Sequence, residues 1–164
     1  MAPGDVVLVD TNVIIEGHLR GCWGALTGGF RVETVDTCII EAMTGGHNWN
    51  GTKPSQAALT ATLHAVHQAT NLEMAEVLAS GGSGLDLGER ALWAHALGRR
   101  GAWILCGPDR ASMRFGFEQK QRNRLVSLGG LLATIGFRAP VQLRPHFEQK
   151  WLDQVMNDLV LGLL

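Results

Sequence analysis

The chain has 164 residues, with 14 lysines and arginines against 15 acids and a formal net charge of −1. Hydrophobic residues make up 46% and charged residues 18%, ordinary for a globular protein, which excludes a disordered chain and a uniformly basic nucleic-acid binder. No apolar run approaches the roughly 18 residues of a membrane span, and no basic-then-apolar leader opens the sequence, so one cytoplasmic domain over residues 1–164 is expected. Cys22, Cys38 and Cys106 are odd in number and lack C-x-x-C spacing, which reads as buried, reduced thiols.

In chain order, residues 5–10 read as a fully buried strand, because "VVLV" is a short β-branched run. A helix follows from Thr11, with Gly17 near its end. Arg31 to Val35 reads as a second strand, and Asp36 or Thr37 caps a short helix through Met43. "TGGHNWNGTKPS" is loop. Ser55 then caps an alanine-rich helix expected to reach Ala69. An extended piece at Leu72–Val77 and the loop "SGGSG" come next. Asp86 opens a helix to about Arg99, which Gly101 ends. Ala102 to Cys106 is a further buried strand, followed by a basic helix near Asp109–Lys120, a short strand at Leu125–Ser127 and a small turn of helix. From about Pro145 to the last residue the chain is an amphipathic helix with the stripe Leu152, Val155, Met156, Leu159 and Leu163. That stripe packs on the core or forms a homodimer.

Buried strands alternating with helices imply an α/β three-layer sandwich around a central, mostly parallel sheet. In such sheets functional residues gather at the carboxyl ends of the strands. Asp10 ends the first strand, Asp109 follows the "WILC" strand, and Glu41 lies in the second turn of the helix after "VETV". Helical spacing puts Glu89 on one stripe with Leu92, Trp93 and Ala96, aimed at the sheet edge. Asp86 stands three residues before Glu89, which is capping-box spacing, so Asp86 reads first as a helix cap and second as a ligand. Several carboxylates in one cleft repel one another unless they hold a cation. Oxygen ligands without thiolate or paired imidazole select Mg²⁺ or Mn²⁺ over zinc. Such a site supports phosphodiester hydrolysis.

These segments resemble the PIN-domain family of metal-dependent nucleases, which includes toxin–antitoxin ribonucleases. "VVLVDTNVII" is similar to the family's opening motif, "VDTCIIEAM" to its second, "LDLGERALWAHAL" to a D-x-G-E form of its third and "WILCGPDRA" to its fourth. "RLVSLGGLLATIG" resembles the late strand and small-residue helix. The resemblance implies a PIN-like fold and Mg²⁺ or Mn²⁺ at Asp10, Glu41, Glu89 and Asp109, with Asp86 beside them. It implies Thr11, Asn12 and Ser127 as supporting residues, an RNA substrate and an antitoxin partner. The chain departs from the family at "CGPD", one residue longer than usual before the fourth acid. No motif covers the tail from about Pro140.

Arg110, Arg114, Lys120, Arg122 and Arg124 crowd into fifteen residues. As a group they are either a solvated helix face or, with Arg110, Arg114, Lys120 and Arg122 beside the acids, an edge that holds the RNA backbone. His64 and His67 are i, i+3 on the expected helix, but lack an acidic or cysteine partner at matching spacing. "SGGSG" lacks the Lys-Ser/Thr of a phosphate loop and reads as a connection. Two other functions stay open: an inactive PIN-like binding module, and an aspartyl-phosphate phosphotransferase or phosphatase using Asp10, for which Lys120 is the one candidate lysine.

Overall fold

The computed structural model describes all of residues 1–164. The sheet grows outward from strand β1 (Val6–Val9), every residue of which is buried. Val7 and Val9 point into one core, Val6 and Leu8 into the other, as the period of two along a strand requires. Each such side chain contributes about 1.5–3 kcal/mol by leaving water. Helix α1 (Thr11–Leu19) and helix α2 (Trp23–Gly29) carry the chain back to strand β2 (Arg31–Val35), which pairs parallel with β1. Helix α3 (Asp36–Thr44) follows directly. Its N-cap is Val35, and the Asp36 carboxylate accepts from the Thr37 N–H at 2.7 Å.

The next stretch differs from its sequence reading. Helix α4 (Gln56–Thr62) is capped by Ser55 as expected but stops early, and Ala65–His67 is strand β3 rather than helix. The reason is tertiary. The outer edge of β2 has unpaired backbone groups, so the His64 N–H donates to Val32 O at 2.8 Å and β3 pairs parallel with β2. The segment expected to be extended at Leu72–Val77 is helix α5 (Asn71–Ala79), closed by a capping box between Thr70 and Glu73. That T-x-x-E signature was present in the sequence.

Helix α6 (Leu87–Gly98) leads to strand β4 (Ile104–Cys106) on the other side of β1. Helix α7 (Arg110–Glu118), strand β5 (Leu125–Val126) and helix α8 (Leu128–Thr134) complete that side. The sheet is entirely parallel in the order β3-β2-β1-β4-β5, with nine helices over both faces, a three-layer α/β sandwich. Helix α9 (Gln149–Val160) packs beside α7 through Leu152, Val155, Met156 and Leu159. Leu163 lies past the helix end and is exposed, so it leaves the expected stripe. All three cysteines are buried and unbridged. No helix is long and apolar enough to cross a membrane.

Glu16, within α1, is fully buried. Its Oε1 accepts from Arg20 Nε at 2.9 Å and from the Arg144 N–H at 2.8 Å, and its Oε2 accepts from Arg144 Nε at 2.7 Å. This clamp ties the segment before α9 to the first helix. Arg144→Ala should therefore destabilise the fold by about 1.5–3 kcal/mol, the scale of a hydrogen bond to a charged group, because Arg144 is itself partly exposed and Arg20 and the residue 144 N–H still face Glu16. Urea denaturation of the variant against the wild type measures it, and an unchanged midpoint would contradict the clamp.

Candidate functional site

Between β1 and β4 the chain reverses its winding. From β1 it moves one way across the sheet through α1 and α2; from β3 it crosses back over the other face through α5 and α6. Outside the carboxyl ends of these two strands lies the crevice in which open α/β sheets bind ligands. Three helices begin at this edge, and each has an aspartate as N-cap. Asp10 Oδ1 accepts from the Val13 N–H at 2.8 Å, and Asp86 Oδ1 from the Glu89 N–H at 2.8 Å. Asp109 Oδ1 accepts from Ala111 N at 2.6 Å and Ser112 N at 3.3 Å. The second oxygens of Asp86 and Asp109 make no hydrogen bond within the protein, whereas Asp10 is also reached by the Asn12 amide. In Asp86 and Asp109 one oxygen thus serves the fold while the other is available.

Glu89 completes the capping box, its Oε2 accepting from the Asp86 N–H at 3.2 Å, and it is buried while Asp86 is exposed. Leu92, Trp93 and Ala96 are buried with it, as the stripe required. Burial pushes the Asp10 carboxyl up to about 7, the Val13 N–H and the Asn12 amide pull it down, and the Asp86 and Asp109 charges push it further up. Burial likewise pushes Glu89 up to about 8, with Asp109, Asp86 and Asp10 adding to it. None of the six ion pairs of the protein includes Asp10, Glu41, Asp86, Glu89 or Asp109.

Glu41 is at the same edge but differently held. Its Oε2 accepts from Thr11 Oγ1 at 2.8 Å and its Oε1 from the Gly88 N–H at 2.9 Å, so it bridges α1 and the start of α6. A Cβ at Gly88 would meet the Glu41 carboxylate, which would have to move aside and give up this geometry. Thr11 therefore positions Glu41, also donating at 3.3 Å to Cys38 O. Asn12 lines a cleft with Asp109. Ser127 caps α8 and donates to Gln149 Oε1 at 2.8 Å, and it hydrogen-bonds none of the acids.

The basic residues divide. Arg110 lies beside Asp109 and Arg114 one turn later, both lining a cavity of about 370 Å³ with Gly81, Ser83 and Gly84 of the glycine loop. Helix α7 runs back from this edge for nine residues, roughly 13 Å. Lys120 and Arg122 follow its end and so lie toward the opposite edge, away from the acids. Arg124 is occupied structurally, stacked 4.5 Å over the Trp103 ring.

No three of the carboxylate oxygens at this edge lie within 4.8 Å of one another. An ion at this edge would therefore be held directly by at most two of these carboxylates, with water and phosphate oxygens in its remaining positions, as Mg²⁺ allows. The oxygen-only donor set fits Mg²⁺ or Mn²⁺.

A second cluster escaped the sequence reading. Glu33 is buried on β2, and its Oε2 lies 2.7 Å from His67 Nε2 and also meets the Arg99 guanidinium. His67 stacks on His95 at 3.9 Å, the planes 14° apart. Near-parallel imidazole planes do not share a point where one ion could sit in both, and Arg99 already fills the space between Glu33 and His95, 3.2 Å from His95 Nε2. The charge inside "RVETV" was its one signal in the sequence. Burial pushes the Glu33 carboxyl up, but hydrogen bonds from Arg99 and His67 outweigh it and hold it below its usual value.

No protein-family model matches the chain, and no curated protein or solved structure matches it.

The raised carboxyls make stability fall with pH. Between about pH 4 and 8 the unfolded chain releases protons that folded Asp10 and Glu89 keep, so without divalent cations the fold weakens as pH rises through that window. His95, held to about 4 chiefly by burial, acts oppositely but only up to its ordinary 6.5. From pH 6.5 to 8 in chelator the melting temperature should therefore drop, and Glu89→Gln should flatten the drop. Parallel curves for the two proteins would refute the assignment.

Proposed function

We propose that the protein is a Mg²⁺- or Mn²⁺-dependent endoribonuclease of PIN-like type that cleaves single-stranded RNA. One observation carries the reading: at the switch point of the sheet, two buried carboxyls and two neighbouring ones have no cationic partner, whereas the buried Glu16 and Glu33 each have theirs. The motif order, the oxygen-only donors and the adjacent Arg110 and Arg114 support it. Cytoplasmic location, an antitoxin and a homodimer belong to the same proposal.

At most two of Asp10, Glu89 and Asp109 would hold the ion directly, the third reaching it through water, with Asp86 and Glu41 flanking them. When bound, the ion supplies Lewis-acid activation of a phosphodiester and of the attacking water. The chain does the rest. The capping bonds from α1, α6 and α7 fix the direction of each carboxylate, and the Asn12 amide lies against Asp10. The buried apolar wall under Asp10 and Glu89 lowers the local dielectric, which strengthens each charge interaction. In this reading Arg110, next to Asp109, would hold a phosphate of the strand, and Arg114, which pairs with Glu118 at 2.8 Å, would have to leave that partner to join it. The phosphotransferase alternative loses its lysine, since Lys120 follows the far end of α7.

Cleavage of an unstructured RNA in Mn²⁺, absent in chelator, tests the proposal. Asp10→Asn should lower the rate by roughly 10²-fold or more, the scale of losing one electrostatic stabiliser. Near-normal activity in that variant would end the reading.

Glu89→Gln and Asp86→Asn separate ligand from cap. The first should abolish cleavage with the fold intact, and the second should lose less. Asp86→Ala should lose about 0.5–2 kcal/mol of stability as a missing cap. An inactive Asp86→Asn beside an active Glu89→Gln would reverse the two roles.

A further inference from the structure

Against Asp109 and Arg110 lies an open cleft of about 390 Å³ lined by Asn12, Pro108, Asp109, Arg110, His146 and Trp151. Its volume falls in the range of about 300–1,000 Å³ usual for ligand sites. Two walls come from the segment that no motif covers: His146, just before α9, and Trp151, in its first turn. We infer that this cleft is a nucleobase subsite, in which Trp151 and His146 stack on a base of the RNA whose phosphate lies at Asp109 and Arg110. The inference rests on the nuclease reading for what occupies the crevice, and adds how the strand is gripped.

Three observations carry it. Of the five tryptophans, Trp23, Trp49, Trp93 and Trp103 are at most 5% exposed, while Trp151 is half-buried and opens into the cleft. His146 is braced rather than loose: its ring lies 4.7 Å from the Phe147 ring, over which Arg144 is stacked at 5.1 Å. The Glu16 clamp on Arg144 then fixes this wall to α1, the helix that begins at Asp10. Third, one cleft combines an aromatic face, a guanidinium and a carboxylate with an unengaged oxygen. Flat π-surface beside a phosphate-binding cation is the pairing that single-stranded nucleic acid binders use, stacking for the base and charge for the backbone.

The test titrates a fluorescein-labelled hexauridylate into the full chain in Ca²⁺, following anisotropy and, with the unlabelled oligomer, tryptophan emission. Binding should quench the emission, because Trp151 is the tryptophan within reach. Trp151→Leu keeps an apolar contact without the π-face. It should melt within a few degrees of wild type, bind about tenfold or more weakly, the scale of one lost stacked base, and show no quench. Trp151→Phe should recover most of the affinity. An oligomer of the same length with abasic riboses should bind wild type and Trp151→Leu equally. RNA that binds wild type without quenching, or binds Trp151→Leu as tightly, overturns the subsite, as does failure to bind RNA at all. The two readings fail separately: binding and quenching without cleavage in Mn²⁺ sinks the nuclease and keeps the subsite, whereas full cleavage by Trp151→Leu at unchanged KM sinks the subsite and keeps the nuclease.

Discussion

The structure depends on how β1 ends. Four apolar residues with no exposed face bring the chain to a point where water barely reaches, and α1 must begin there with its first amides unpaired. Asp10 accepts one of them and is buried in doing so. Because the winding of the sheet reverses beside β1, α6 and α7 begin at the same edge with the same need, and Asp86 and Asp109 meet it. Three capping requirements thus bring three aspartates into one crevice, and Glu89 follows as the reciprocal half of a capping box. Positive helix ends ease the crowding, yet burial still holds Asp10 and Glu89 well above ordinary carboxyls.

The two faces of the sheet make the contrast plain. Glu16 and Glu33 are as buried as Asp10, but arginines reach both, and both stay below their usual values. Burial raises those carboxyls too; the hydrogen bonds and charges of Arg144, Arg20, Arg99 and His67 reverse it. At the crevice no protein cation plays that part. A buried charge left unpaired is costly, so Glu33 stays charged within a closed, structural cluster, whereas Asp10 and Glu89 hold their protons to higher pH.

The C-terminal segment belongs to that crevice as well as to the core. Leu152, Val155, Met156 and Leu159 seat α9 on the fold, while its first turn presents Trp151 beside Asp109. The Arg144 clamp joins this segment to α1, so the wall carrying His146 and the helix starting at Asp10 form one connected support.

The sequence by itself determined the layers and much of the crevice. Alternation along "VVLV", the stripe through Glu89, Leu92, Trp93 and Ala96, and capping residues at Asp86 and Ser55 are local signals, and local geometry obeys them. The parallel sheet, the acids at strand ends and the capping role of Asp86 were legible for that reason. Tertiary structure decided what local signals do not encode. It ended α4 at Thr62 and made Ala65–His67 a strand, because the open edge of β2 supplied hydrogen bonds that an isolated segment lacks. It joined Glu33 to Arg99 across 66 positions and set Trp151 beside Asn12 and Asp109. It also carried Lys120 and Arg122 away from the acids, since a helix after a strand must run back across the sheet before the next parallel strand begins. Separation along the chain says nothing of such pairings; only the packed topology brings those charges and rings together.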